Sequence, residues 1–573
     1  MTEHDFSRIP RYQKRTFVPE GVDFNDRDEA VELYTQLLDR DIRSAKELEQ
    51  WLKDCSELAA AVDQHGSILY IVMTCDTSHA EHAYNYQKFI KDVVPAVKPL
   101  GDELNRKYLA MNDQFPLDAK RYFIFHRSVQ TDVDLFWAEN VPLETDVQLL
   151  SQEYQSVFGS MTVDLDGQEM TLPQMSKFQE EVDRSLRERA WRLTAQRRYQ
   201  DQDRLESIFE RMFSIRHKIA RNAGFGNFRD YQFASYHRFD YSPDHCKRYH
   251  ETIERVVVPL WDKILERRRQ QMKLTHLRPW DLSVDPFGRP PLNPFTTADQ
   301  LTKGVSRIVR RIDPEFGNMF DEMSQLGLLD LESRKGKAPG GYQNTLSEAR
   351  KPFIFMNAVG IDDDVRTLLH ESGHAFHAMY CANEFLHTYR RAPIEFCEVA
   401  SMSMELLADR HLDEFYGAED HKRSRTTHLE NIIHILAWVA NVDSFQHWMY
   451  EHADHARQDR IRKWVELYER FAGTLVDWTG LDLYKETLWH RQLHIFEVPF
   501  YYIEYGIAQL GALQIWQRSR KDLPGTLDSF KRAMALGGSC SLPELFATAG
   551  IEFDFSEKTI RPLVHEIARE LEL

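Results

Sequence analysis

Across most of this chain apolar residues return every third or fourth position, the spacing that an α-helix gathers into one face. The period runs through residues 28–61, 79–109, 174–223, 245–272, 298–312 and 424–473. Pro and Gly punctuate between runs, as in Leu277-Arg278-Pro279-Trp280 and Pro286-Phe287-Gly288-Arg289-Pro290-Pro291. Strand signals are few. Residues 161–165 and 168–172 flank Asp166-Gly167, a hairpin turn dipeptide, and Phe353-Ile354-Phe355-Met356 is a short apolar run after Lys351-Pro352. The expectation is a mainly α protein with a small β-sheet. A soft boundary near residue 190 separates an N-terminal helical region, 1–190, from 191–573; no flexible linker joins them, so the two are expected to form one continuous unit.

Charge narrows the function classes. Lys and Arg total 72 against 90 Asp and Glu, a net charge of −18 that disfavours nucleic acid and polybasic membrane contact. The six cysteines, Cys55, Cys75, Cys246, Cys381, Cys397 and Cys540, are scattered with no C-x-x-C pair, which fits free thiols in a reducing compartment. No run of 18 apolar residues is present, and Met1-Thr2-Glu3-His4-Asp5-Phe6 lacks an apolar signal region. A soluble cytoplasmic protein is expected.

One helical run carries chemistry. Asp362-Asp363-Asp364 suits the positive end of a helix dipole, and the helix that follows contains His370-Glu371-Ser372-Gly373-His374. Two histidines four residues apart project from one helix face and can close on one zinc ion. Glu371 stands beside the metal's open side, where it can take a proton from zinc-bound water and pass it to a leaving amine. With 24 histidines in the chain the pattern could arise by chance, so its context matters.

A catalytic zinc wants a third protein ligand. A second helix is expected from about Pro393. Within it Glu398, 24 residues after His374, is flanked by Val399, Ala400 and Met402, and a carboxylate in such apolar company needs a cation to offset its desolvation. Glu395 sits nearer the helix start, where a carboxylate is simply a good dipole partner. Glu405, two turns beyond Glu398, is read either as orienting a ligand or as an ordinary buried ion-pair partner. His377 and His387 are read as packing or surface residues.

Three blocks in order resemble the oligoendopeptidase F and thimet oligopeptidase family of zinc metallopeptidases. They are Lys335-Gly336-Lys337-Ala338-Pro339-Gly340-Gly341-Tyr342 with Pro352-Phe353-Ile354-Phe355-Met356-Asn357, then residues 364–377 around the two histidines, then Glu398-Val399-Ala400-Ser401-Met402-Ser403-Met404-Glu405. The likeness is good over about 330–515 and weaker from about 160 onward. It implies a two-lobed helical peptidase with a deep central channel and a small sheet beside the zinc helix, 191–573 being the catalytic region. It implies one zinc per chain held by His370, His374 and Glu398, with Glu371 as the general base. The strand at 353–357 would run along the channel and pair with substrate backbone, with Gly341 and Tyr342 as substrate contacts. A late segment dense in phenols, His494 to Gly506, looks like the family's oxyanion side: Tyr505 would be the donor, and Tyr502 and His494 substrate contacts. Tyr502 and Tyr505 would share a helical face, and the alternative for these tyrosines is an aromatic core stripe.

The resemblance implies hydrolysis of internal bonds in short peptides. An alternative is a dipeptidyl carboxypeptidase or metallocarboxypeptidase on a related fold, which needs a cation for the substrate's C-terminal carboxylate; Arg390, Arg391 and Lys351 are the positional candidates. A second alternative is a peptide-binding protein without catalysis, against which the presence of Glu371 weighs.

Overall fold

The computed structural model describes residues 5–573. The helical runs are present, and several are divided where local chemistry favours an end. Residues 28–61 hold Arg27–Asp39 and the start of α1 (Ala45–Cys75), separated where the Ser44 side chain accepts from the Glu47 backbone N–H. α1 continues past residue 61 through a polar stretch because tertiary partners take up its side chains: Asp63 pairs with Arg391, and Gln64 accepts from the backbone N–H groups of Glu348 and Ala349. Asp166 and Gly167 both have positive φ, 58° and 85°, in the turn joining β1 (Thr162–Leu165) to the antiparallel β2 (Gln168–Thr171). The 174–223 run holds parts of three helices, Leu172–Ser176, Arg184–Gln200 and Gln202–Asn222. The 245–272 run divides into α2 (Pro243–Val256) and Val258–Gln271, whose first turn carries Pro259.

Buried apolar side chains form two clusters. The smaller includes Leu33, Trp51, Phe89, Tyr108 and Phe125; the larger holds the elements that build the site. α1 serves both, sending Trp51 and Leu58 into the first and Ile71 and Cys75 into the second. Among the described residues no helix is long and apolar enough to cross a membrane.

The second sheet has the order β3 (Leu329–Glu332), β5 (Lys351–Ala358), β4 (Tyr342–Leu346). β5 is parallel to β3 and antiparallel to β4, with Tyr342 opposite Phe355 and Leu346 opposite Lys351. This corrects the expectation that 353–357 pairs with a bound peptide. Both edges of β5 are already used, so it is the buried centre of the sheet, and β3 and β4 are the edge strands, each paired with another strand on one side only among the described residues.

α3 (Asp362–Tyr380) begins where Asp364 Oδ2 accepts from the N–H groups of Val359, Gly360 and Ile361 at 2.8, 2.7 and 2.9 Å. The chain turns through short 3₁₀ segments and returns as α4 (Ile394–Ala408), packed along α3. α5 (Ala418–Glu451) follows, and α6 (Ile503–Ser519) covers another side of α4. Gly373 sets how closely α3 and α4 approach. A Cβ there would stand 2.5 Å from Ser401 Cα and 2.6 Å from Ala400 O, both backbone atoms. Gly373→Ala is therefore expected to force the helices apart and to destabilise the protein by about 1–3 kcal/mol, read as a lower urea midpoint with an unchanged slope.

Candidate active site

α3 turns His370, Glu371 and His374 toward a cavity of about 570 Å³, and α4 brings Glu398 to meet them. Glu398 Oε2 stands 3.3 Å from His370 Nε2 and 3.4 Å from His374 Nε2. Ligand atoms about 2.1 Å from a shared tetrahedral centre lie about 3.4 Å apart, so these donors have the spacing a zinc-sized cation needs. Ligating atoms of all three residues lie within 4.8 Å of one another.

Partners behind the donors fix their orientation. His370 Nδ1 lies 2.7 Å from Glu405 Oε1, and His428 Nε2 stands 3.2 Å from the other Glu405 oxygen. Proton donation from Nδ1 to Glu405 leaves His370 Nε2 as the free lone pair facing Glu398 and His374. Of the two sequence readings of Glu405, the geometry supports orientation of His370. Tyr501 Oη donates to Glu398 Oε1 at 2.6 Å, and Ser401 Oγ donates to Oε2 at 3.0 Å. Glu395 faces elsewhere and accepts from Tyr241.

The electrostatics also fit a cation. Burial lowers the His370 pKa, but the carboxylates of Glu398 and Glu405 outweigh it and hold the ring well above its ordinary range. Burial raises the Glu398 pKa, yet the imidazoles of His374 and His370 hold it well below. Positive charge is thus favoured between these groups, and a divalent metal supplies it without a proton. For Glu371, burial outweighs both imidazoles and pushes the carboxyl up. Glu371 is only 6% exposed, and its Oε2 has no hydrogen-bond partner among the described residues, although Glu371 lines the cavity.

The facing wall carries a directed chain of hydrogen bonds. Trp438 Nε1 can only donate, and it lies 3.1 Å from Gln492 Oε1, which fixes that amide. Gln492 Nε2 accordingly donates to His494 Nδ1 at 2.9 Å. The imidazole then carries its proton on Nε2 and donates to the Tyr505 oxygen, 3.0 Å away. Burial pushes the His494 pKa down to about 4, so the ring is neutral at pH 7. Burial first, and then the charge of Glu398, raises the Tyr505 pKa well above its ordinary value. Tyr505 therefore keeps its proton, and with His494 as donor that proton remains available to a molecule in the cavity.

Gly341 and Tyr342 also line the cavity. A Cβ at Gly341 would lie 3.5 Å from Glu371 Oε1. The Tyr342 hydroxyl turns away to Thr74 Oγ1 at 2.6 Å, and its ring stacks on Phe355. Tyr502 does not line the cavity. It caps α6 at its N-terminus with helical backbone angles, so it and Tyr505 lie on one side of the helix as expected, and its ring packs against those of both His494 and Tyr505. Tyr501 occupies the place facing Glu398, delivered by Phe500 at φ 68°. The run Phe500-Tyr501-Tyr502 was visible in the sequence; the turn selecting its middle member was not. Gln492 and Trp438 gave no sequence signal, being an ordinary amide and an apolar-face indole. Arg390 and Arg391 line the cavity, whereas Lys351 lies outside it and pairs with Glu322. His377 and His387 line it too, outside the three-donor cluster.

The family model described as peptidase family M3 matches residues 177–564, and that of the peptidase M3 N-terminal domain matches residues 21–136. An oligoendopeptidase F homologue of Mycoplasma genitalium is 21% identical over 49% of this chain and 48% of its own; the chain thus spans about half the length of that curated relative. A crystal structure provisionally assigned to an oligoendopeptidase F superposes with a TM-score of 0.90 at 28% identity, over 98% of this chain and 99% of that one. PZ peptidase A with an inhibitor gives 0.91 at 26% identity, over 97% and 99%.

The hydrogen-bond direction is open to measurement. Side-chain nitrogen NMR is expected to find His494 neutral and protonated on Nε2 from about pH 8 to about pH 5, with titration only near 4. An unfolded chain takes that proton near its ordinary pKa of about 6.5, so this group lowers stability as pH falls from there toward 4. A His494 that charges near 6.5, or carries its neutral proton on Nδ1, would contradict the arrangement.

Proposed function

The chain belongs to peptidase family M3, and on that premise we propose that it is a zinc-dependent oligoendopeptidase hydrolysing internal bonds of short peptides. The observation carrying this reading is the convergence on one cavity of the His370, His374 and Glu398 donors, the unpartnered oxygen of Glu371, and the Tyr505 hydroxyl. His370, His374 and Glu398 would hold one zinc ion per chain. When bound, zinc supplies a Lewis acid that polarises a carbonyl and makes water more acidic.

The protein's own groups complete the chemistry. Glu371 takes the proton of the attacking water and delivers it to the leaving amine, and its raised pKa helps it to work in both directions. Tyr505 donates to the substrate oxygen as negative charge builds there, an interaction that strengthens toward the transition state. His494 holds Tyr505 in that role, with Tyr502 packed behind both. Tyr501 steadies Glu398. The unpaired edge of β4, with Gly341 before it, offers backbone groups along the cavity to an extended peptide. Such pairing is tolerant of sequence and requires an unfolded segment, which supports short peptides as substrates. The six free cysteines fit a reducing compartment, and we place the enzyme in the cytoplasm.

A carboxypeptidase needs a cation for the terminal carboxylate. Lys351 is paired with Glu322, and Arg391 with Asp63. Arg390 donates to Ser347 O at 2.7 Å and makes no ion pair with a carboxylate among the described residues, so it keeps the exopeptidase reading testable.

Mass spectrometry of products from a defined peptide mixture is expected to show internal cleavage that a chelator stops and added zinc restores. Equal rates on free and amidated C-termini are expected; loss of only the amidated substrate would transfer the assignment to a carboxypeptidase. Absence of any cleavage with zinc restored would favour a binding protein. Glu371→Gln is expected to abolish turnover while the metal stays bound, and Glu398→Ala to lose the metal. Tyr505→Phe should lower kcat by about 10²–10³-fold, or about 2.7–4 kcal/mol, with little change in KM and none in metal content.

A further inference from the structure

A second group of metal-ligating side chains lies between α2 and α5. Cys246 and His250 are one turn apart on α2, and Asp443 and His447 one turn apart on α5, so each helix turns a pair of these residues toward the other. All four are buried, Cys246 and Asp443 completely. Ligating atoms of Cys246, Asp443 and His447 lie within 4.8 Å of one another. His447 Nε2 stands 3.4 Å from Asp443 Oδ2, the separation expected of two ligands about 2.1 Å from one tetrahedral cation.

The local hydrogen bonding leaves these groups poorly served. Among the described residues His447 Nδ1 and Asp443 Oδ1 have no hydrogen-bond partner, and His447 Nε2 meets only Asp443 Oδ2, at 3.4 Å and without good hydrogen-bond geometry. His250 Nε2 lies 2.7 Å from Asp443 Oδ2, and among the described residues the Cys246 thiol makes a single long bond, 3.6 Å to Ser242 O. Protein interiors seldom leave a carboxylate oxygen unpartnered and an imidazole so sparsely bonded. Arg238, whose charge reaches Cys246, is paired with Glu504 and lies near Glu395, so it does not leave the region positive.

We propose that Cys246, Asp443 and His447 form a buried site for a second divalent cation of the zinc class, with His250 holding Asp443 in place. One thiolate and one carboxylate balance two positive charges, which permits burial. The thiol gives up its proton to solvent as the sulfur–cation bond forms. Mixed sulfur, nitrogen and oxygen donors suit zinc or cobalt better than magnesium or calcium. The role is structural: the cation joins α2 to α5, and the His447 ring packs against Phe500, whose turn delivers Tyr501 to Glu398. Because the site is enclosed, it fills as the chain folds and resists a chelator applied to the native protein.

Donor chemistry distinguishes the two sites. His370, His374 and Glu398 contain no sulfur, so only the second site gives thiolate-to-cobalt charge transfer in the near ultraviolet. Full-length protein made in cobalt medium and then treated with chelator is expected to keep about one cobalt per chain and to show that absorption. Cys246→Ser should lose the band and the chelator-resistant metal, yet still bind metal at the cavity. His447→Gln, which keeps the thiol, should weaken retention and serves if the serine variant does not fold. Wild-type protein without chelator-resistant cobalt or without the band overturns the proposal, as does a band that persists in a folded Cys246→Ser or is unchanged in His447→Gln.

Discussion

Glu398 is a carboxylate almost wholly withdrawn from water, and much of the surrounding structure answers to that. Burial of an ionised group is tolerated only where opposite charge and hydrogen bonds compensate it. Here compensation comes from three directions: two imidazoles on α3, the Tyr501 hydroxyl from the turn before α6, and Ser401 on its own helix. The two imidazoles do not reach Glu398 unless α3 and α4 run almost in contact. The absent side chain of Gly373 makes that approach possible, so one small residue inside the histidine motif governs whether the opposing carboxylate arrives.

The two walls of the cavity are organised differently. On the α3 side, charge is layered, with the imidazole of His370 between Glu398 and Glu405 and with His428 behind the latter. On the opposite side the partners are neutral, and order comes from direction: an indole that can only donate fixes an amide, which fixes a ring, which leaves one phenolic proton unused. A charged layer suits a cation; a neutral directed chain suits an oxygen whose charge develops only during reaction.

What could be read in the sequence follows from which interactions are local. The α3 motif was legible because the two histidines are one helical turn apart, and Glu398 because a lone acid in an apolar helical run signals compensation from elsewhere. The hairpin at Asp166-Gly167 was legible for the same local reason. Strand order was not: the apolar run at 353–357 identifies a buried strand, but only chain pairing decides that both its edges are taken. Tyr501 and Tyr502 are adjacent, and the left-handed turn at Phe500 that separates their roles leaves no mark on composition. Gln492 meets Trp438 across 54 residues, and Cys246 meets Asp443 and His447 across about 200, so neither encounter has a sequence period.

The unpaired edge of β4 has a consequence beyond recognition. A bare strand edge is a template on which other chains can add, and soluble proteins usually charge, shorten or cover it. Here residues 342–345 line the wall of a cavity rather than an open face, which hinders a second folded molecule from laying a strand alongside them. The cavity wall therefore shields this edge: groups that would promote clumping on an open surface are less accessible to a folded neighbour than to a single slender chain. A variant that opened the cavity would put solubility at risk before it broadened what can enter.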